Sequence, residues 1–237
     1  MLLVLSLGTA SAPAWGQTCP EPSSAQIAER AQVLEQIIDS HSGAMNLWWS
    51  GFMGLHMTMA ATMTTLQNFQ SEQARRETAV GIVGSTLGAT TLLLVTPPLL
   101  RAPEALGPID TSTDKGRRTY VQQAEQLLAQ QAKKSRLATS WFSRIVSFAY
   151  TTAAAIFIWR VLERDRGALR NFVGGLVIGQ ARSFSHPTGA SEAWAAYHHK
   201  YIEGCGEGPA LETEAPPTTS RLQLGAGAGG LGFTLRF

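Results

Sequence analysis

Three histidines in the last third of the chain, His186, His198 and His199, stand close in sequence to Glu192, Glu203 and Cys205. Imidazole and carboxylate side together are the raw material of a metal site or of acid–base chemistry. Their spacing argues against both. There is no His-Glu-x-x-His and no paired Cys-x-x-Cys, and neighbouring histidines on a helix point about 100° apart. A solvated polar helix end is the expected reading. His56 stands alone in a long uncharged stretch. A polar residue in an apolar helix is a functional candidate, but a neutral imidazole hydrogen-bonded across a helix interface explains it more simply. Met53, Met57, Met59 and Met63 around it form a stripe of adaptable thioethers that suits packing. No Gly-x-Ser-x-Gly, Walker loop or dinucleotide fingerprint occurs, and Gly81-x-x-Gly84 does not follow a strand. No catalytic residue, cofactor or metal is therefore assigned. His56, His186, His198 and His199 remain weak candidates for a polar site.

The elements that must position these groups read as mostly α-helical. Ser23-x-x-Gln26, after Pro20 and Pro22, matches a capping box. Ile27, Ala31, Leu34 and Ile38 then recur at helical spacing, which predicts an amphipathic helix. Residues 40–70 contain no Asp, Glu, Lys or Arg and include Trp48, Trp49, Phe52 and Leu55. That run exceeds the roughly twenty residues needed to cross a bilayer, and paired tryptophans suit its boundary. A charged break at 71–77 precedes a second uncharged run, 78–100, ended by Pro97-Pro98. Gly84-x-x-x-Gly88 within it is spacing that lets helices approach closely. These two arms are the expected membrane segments.

The second half repeats the order of parts. A loop-like stretch, 101–116, leads to an amphipathic pattern of Tyr120, Ala124, Leu127 and Leu128, then an apolar arm at 145–159. A charged break at 160–170 and a glycine-rich arm with Gly175-x-x-x-Gly179 follow. A shift of 93 brings Ala31 onto Ala124, Leu34 onto Leu127, Trp48 onto Trp141 and Val80-Gly81 onto Val173-Gly174. The expected fold is a duplicated helical-hairpin bundle embedded in a membrane, with repeats at 18–100 and 101–190 and a polar segment and linker at 191–219. The later arms, about fifteen and eleven residues, are short for a span unless flanking arginines reach the interface. Two to four membrane helices are thus expected, with Gly84, Gly88, Gly175 and Gly179 at their contacts.

Composition agrees. Charged residues are 15% of the chain, against roughly 25% in a typical soluble domain. The net charge of +2 is not gathered into a basic stripe, so nucleic acid is a poor expectation. Residues 1–17 read as a secretory signal, with a short apolar core before Ala10-Ser11-Ala12 and Ala14-Trp15-Gly16. Export places Cys19 and Cys205 in an oxidising compartment, where one disulfide between them is the simplest outcome. A cleaved signal and an even number of crossings put both termini outside, on the periplasmic face of a bacterial-type inner membrane. A periplasmic or outer-membrane-associated address is the alternative. Arg75, Arg76, Arg164, Arg166 and Arg170 fit short inside elbows, while Lys115, Arg117, Arg118, Lys133, Lys134 and Arg136 of the middle segment conflict with the positive-inside rule.

The segment 220–237 alternates apolar residues in a way that predicts a β-hairpin turning at Gly229-Gly230, pairing Ala228 with Leu231 and Ala226 with Phe233. Its terminal Phe237 resembles the end of the last strand of bacterial outer-membrane barrels. Such a hairpin needs a surface, on the helical body or on an envelope partner. The expected protein is non-catalytic, with a structural, assembly or partner-binding role in the envelope and the bilayer as its first partner; a homo-oligomer is compatible. Two alternatives stand beside it: a small transporter or channel-like oligomer, and a membrane-facing enzyme using His186, His198 and His199.

Overall fold

The protein is described by a computed structural model covering residues 20–205 and the short stretches 222–227 and 230–235. The signal segment, Cys19 and residues 206–219 of the linker lie outside the described residues. Helix dominates. The capping box forms as expected, with the Ser23 hydroxyl accepting from the Gln26 amide and the Gln26 side chain accepting from the Ser23 amide. It opens α1, Ser24–Leu66, a single helix of 43 residues. The amphipathic helix and the first apolar arm are therefore continuous. Ser40 and Ser42 return their hydroxyls to carbonyls of the preceding turn instead of capping a new helix, so nothing stops the first one.

Ser71 caps α2, Glu72–Leu94. A 3₁₀ turn, Pro98–Arg101, and a short α3, Ala102–Leu106, lead to α4, Asp114–Thr139. Ser140 ends α4 and caps α5, Trp141–Val161, accepting from the Ser143 amide. The elbow after α5 holds Glu163 in the left-handed region, φ 53°. Then come α6, Asp165–Phe184, and α7, Gly189–His198, which runs into a π turn, His199–Glu203.

These elements build two unlike regions. The first half of α1, the 3₁₀ turn, α3, α4, α7 and the π turn enclose one hydrophobic core. The predicted stripes line it: Ile27, Ala31, Leu34 and Ile38 face Tyr120, Ala124, Leu127 and Leu128, all buried. Trp194, Tyr197 and Tyr201 complete it. The segment expected to be polar from 191 onwards thus begins with a core helix, because its aromatics recur three and four residues apart on one face. From this globular end project two helical hairpins, the second half of α1 with α2, and α5 with α6.

Two helices, Glu72–Leu94 and Trp141–Val161, are long and apolar enough to cross a membrane. Core helices of soluble proteins pass the same test, but only 22% and 17% of these apolar windows are buried. Membrane association is suggested on that footing, weakly. The pairing differs from expectation. The arm at 40–70 is uncharged, yet amides, hydroxyls and His56 dilute its apolar character. The arm centred on 145–159 gains length because the α-helix extends past Arg144 and Arg160 to apolar ends.

At the C-terminus β1, Leu222–Gly227, pairs antiparallel with β2, Gly230–Leu235, Leu222 facing Leu235 and Ala226 facing Leu231. The expected register, Ala226 with Phe233, is displaced by two residues. Among the described residues no helix packs extensively on this ladder, and two strands alone are marginal in water. The fold lends no support to a C-terminal hairpin as a stable unit.

Candidate functional site

The histidines do not converge. His186 follows α6 and is buried, its ring edge-on to Trp48 of α1 with centroids 4.6 Å apart and its Nδ1 3.1 Å from the Pro187 carbonyl. Burial holds its imidazole below the usual histidine range, and the charge of Arg182 adds to this. His198, on α7, lies edge-on to Trp194 and 3.4 Å from a Glu203 carboxylate oxygen. His199 is exposed at the start of the π turn. Among the described residues no three of His, Cys, Asp and Glu are grouped as a metal ion would need. Cys205 sits just past the π turn with φ 53°; its expected partner, Cys19, lies outside the described residues.

His56 is buried in the first hairpin against Gly88, and its Nδ1 has no hydrogen-bond partner among the described residues. The four glycines all sit where a Cβ would meet a neighbouring helix: Gly84 at the Tyr150 hydroxyl, Gly88 at His56, Gly175 at Thr151 and Gly179 at Ser147. The hairpins share this register. His56 and Gly88, each advanced by 91, become Ser147 and Gly179.

The strongest polar constellations were not among the sequence candidates. In the globular end, Arg30 of α1 donates through Nε to the Tyr197 hydroxyl at 2.9 Å and through Nη2 to Glu125 of α4 at 2.5 Å. The Tyr197 hydroxyl donates in turn to Glu125 at 2.6 Å. Burial, with the Glu125 hydrogen bond, pushes the Tyr197 phenol above the ordinary tyrosine range. One turn on, the Tyr201 hydroxyl and Lys200 both donate to Glu29, at 2.5 and 3.2 Å, and hold its carboxyl below the usual range. This arrangement satisfies every group with a protein partner. It fastens α7 to α1 and α4, and offers no free nucleophile or base.

At the far tip of the arms, Glu77 of α2 is buried and binds both Arg170 of α6 and Arg164 of the elbow, the latter at 3.5 Å. Gly167 lies against the same carboxylate, where a side chain would collide with it. Glu77 and Arg170 are 93 residues apart, the offset of the sequence repeat, and α2 and α6 also begin 93 apart, at Glu72 and Asp165. No protein-family model matches the chain, and neither a curated protein nor a solved structure is similar to it.

Proposed function

We propose that the protein is a non-catalytic membrane protein of a cell envelope, in which the two hairpins enter the bilayer and the globular end stands in water as a structural or assembly element. The observation that carries this reading is the distribution of exposed apolar surface. Among the described residues, all but two of the large exposed hydrophobic side chains, Leu137 and Ile202, lie on the arms or their elbows. Leu94 is 80% exposed and Trp141 76%. Monomeric soluble proteins rarely leave so continuous an apolar surface in water. Helices of 23 and 21 residues rise about 35 and 32 Å, enough for a hydrocarbon core of about 30 Å.

In this reading the chain is an internal duplication, each repeat contributing one amphipathic segment to the globular end and one hairpin to the bilayer. Export by the N-terminal signal places the globular end outside, with Cys19 and Cys205 as its disulfide. The folded state of α4 supports that orientation, since Lys133, Lys134 and Arg136 belong to a helical domain and not to a short loop, and domains cross largely regardless of charge. Alkaline carbonate washing of membranes tests the reading. Retention in the pellet is expected; release of the intact protein into the supernatant overturns it.

A further inference from the structure

Five cations gather at the base of the arms without a carboxylate partner. Elsewhere among the described residues Arg75, Arg101, Lys115, Arg160 and Arg166 also make no ion pair but are scattered, and the remaining cations are paired. In the globular end Arg30 pairs with Glu125, Lys200 with Glu29, Arg117 with Asp114 and Arg118 with Glu21. At the tip Arg76 pairs with Glu72, and Arg164 and Arg170 share Glu77. Between these levels stand Lys133, Lys134 and Arg136 in the last turns of α4, Arg144 in the first turn of α5 and Arg182 in the last turn of α6. None of the five pairs with a carboxylate among the described residues. The sequence explains why: residues 126–162 and 166–191 contain no Asp or Glu. The nearest acids along the chain to the ends of this group are Glu125, which pairs with Arg30, and Glu192, which makes no ion pair among the described residues.

The five share one level. Along α4 and α5 they lie within about 10 Å of the break at Ser140. The end of α6 is tied to that break by Ser183, whose hydroxyl donates to the Ala138 carbonyl at 3.2 Å and accepts from Arg144 Nε at 3.4 Å. Lys134 reaches the end of α2, donating to the Thr96 carbonyl at 3.0 Å. Trp48 stands beside the end of α6, its Nε1 donating to the Ser185 hydroxyl at 3.2 Å, and Trp141 opens α5. Tryptophan and unpaired cations at the junction of an apolar shaft and a polar body match the headgroup layer of a bilayer.

We propose that this collar binds the phosphates of anionic lipids in the leaflet next to the globular end. The proposal rests on insertion of the arms. Lipid phosphate, rather than a free anion, fits because the cations stand at the ends of α4, α5 and α6, where the apolar shaft meets the polar body. Each Lys or Arg near an anionic surface contributes about fivefold in affinity.

The test uses the whole protein purified in detergent, offered phosphatidylglycerol and phosphatidylcholine of equal chain length, with retained lipid read by native mass spectrometry. Preferential retention of phosphatidylglycerol is expected. A Lys133→Gln/Arg136→Gln variant, altering exposed side chains only, should lose about fivefold of that preference per cation, and adding Arg182→Gln should lose more. Lys115→Gln, at the opposite end of α4, should keep it. Equal retention of both lipids, or an undiminished preference in the variants, overturns the collar. Abolition of the preference by millimolar inorganic phosphate overturns the lipid assignment in favour of a free-anion site. Carbonate washing separates the two readings: a collar variant that loses headgroup preference yet stays in the membrane pellet supports both, whereas wild-type protein washed from the membrane removes both.

Discussion

At the globular end Leu34, Leu99 and Leu128 have no exposed surface, while along the arms Leu94 is 80% exposed and Phe142 63%. The same residue types are thus hidden in one region and displayed in the other, although a single helix, α1, runs through both. The difference lies in what surrounds them. Charged and amide side chains in the first half of α1 and in α4 confine apolar residues to one stripe, which must find a partner stripe to leave water. Along the arms, most clearly in α2 and α5, apolar residues are not confined to one stripe, so one hairpin partner covers only part of each surface. In the proposed reading the molecule is a water-type core joined to a lipid-type shaft.

Truncation inside the core should give the largest effect. Leu34→Ala or Leu128→Ala should lower unfolding stability by about 2–5 kcal/mol, measured by denaturation in detergent micelles. Leu94→Ala or Phe142→Ala should change it by about 0.5 kcal/mol or less. Equal losses in the two regions would break the comparison.

Alkaline pH should then single out the core. Burial, with the charges of Glu35 and Asp39 adding, pushes the Tyr120 phenol up to about 12 from an ordinary value of 10.0. A pKa raised on folding favours the folded state below the unfolded value and loses that contribution as pH climbs through the folded value. Stability should therefore fall between pH 10 and 12, by about 2–3 kcal/mol from this group. Tyr120→Phe should flatten that slope, and an unchanged slope would count against burial of the phenol.

Within the arms, packing should matter only where helices touch. Gly88→Ala drives a methyl into the His56 ring and should cost about 1–2 kcal/mol. Gly174→Ala, which meets nothing within 4 Å, should be neutral or slightly stabilising, since alanine is the better helix former. A modest effect is expected at the tip. Glu77→Gln removes the charge shared by Arg164 and Arg170, whose exposure to solvent limits the loss to about 1 kcal/mol. Proteolysis at the elbows should nonetheless quicken, which limited digestion in micelles would report.

The core was the more legible region. Ile27, Leu34, Tyr120 and Leu128 announce themselves because burial on one side only leaves a periodic pattern, and Ser23 and Gln26 mark the helix start by local chemistry. The arms left no such period, so their ends were set by charges alone. That misplaced the stronger candidates, since Arg144 and Arg160 lie within the terminal turns of α5, which runs on past them to Trp141 and Val161. Trp194, Tyr197 and Tyr201 carried a readable three–four spacing, but the neighbouring histidines and glutamates obscured it as a polar run. Of the site candidates, the histidines were found by residue type and then dispersed by the fold. Tyr197 with Arg30 and Glu125, and Glu77 with Arg170, join positions 72 to 167 residues apart, which no local motif records.

Depth in the bilayer decides the account. Nitroxide labels on Val83→Cys, Val146→Cys and Ile156→Cys in reconstituted vesicles should collide freely with dissolved oxygen and be shielded from a water-soluble nickel chelate, with a label on Lys115→Cys behaving oppositely. Nickel-accessible labels at all three arm positions would mean that the shaft stands in water, and the comparison drawn between the two regions would fail.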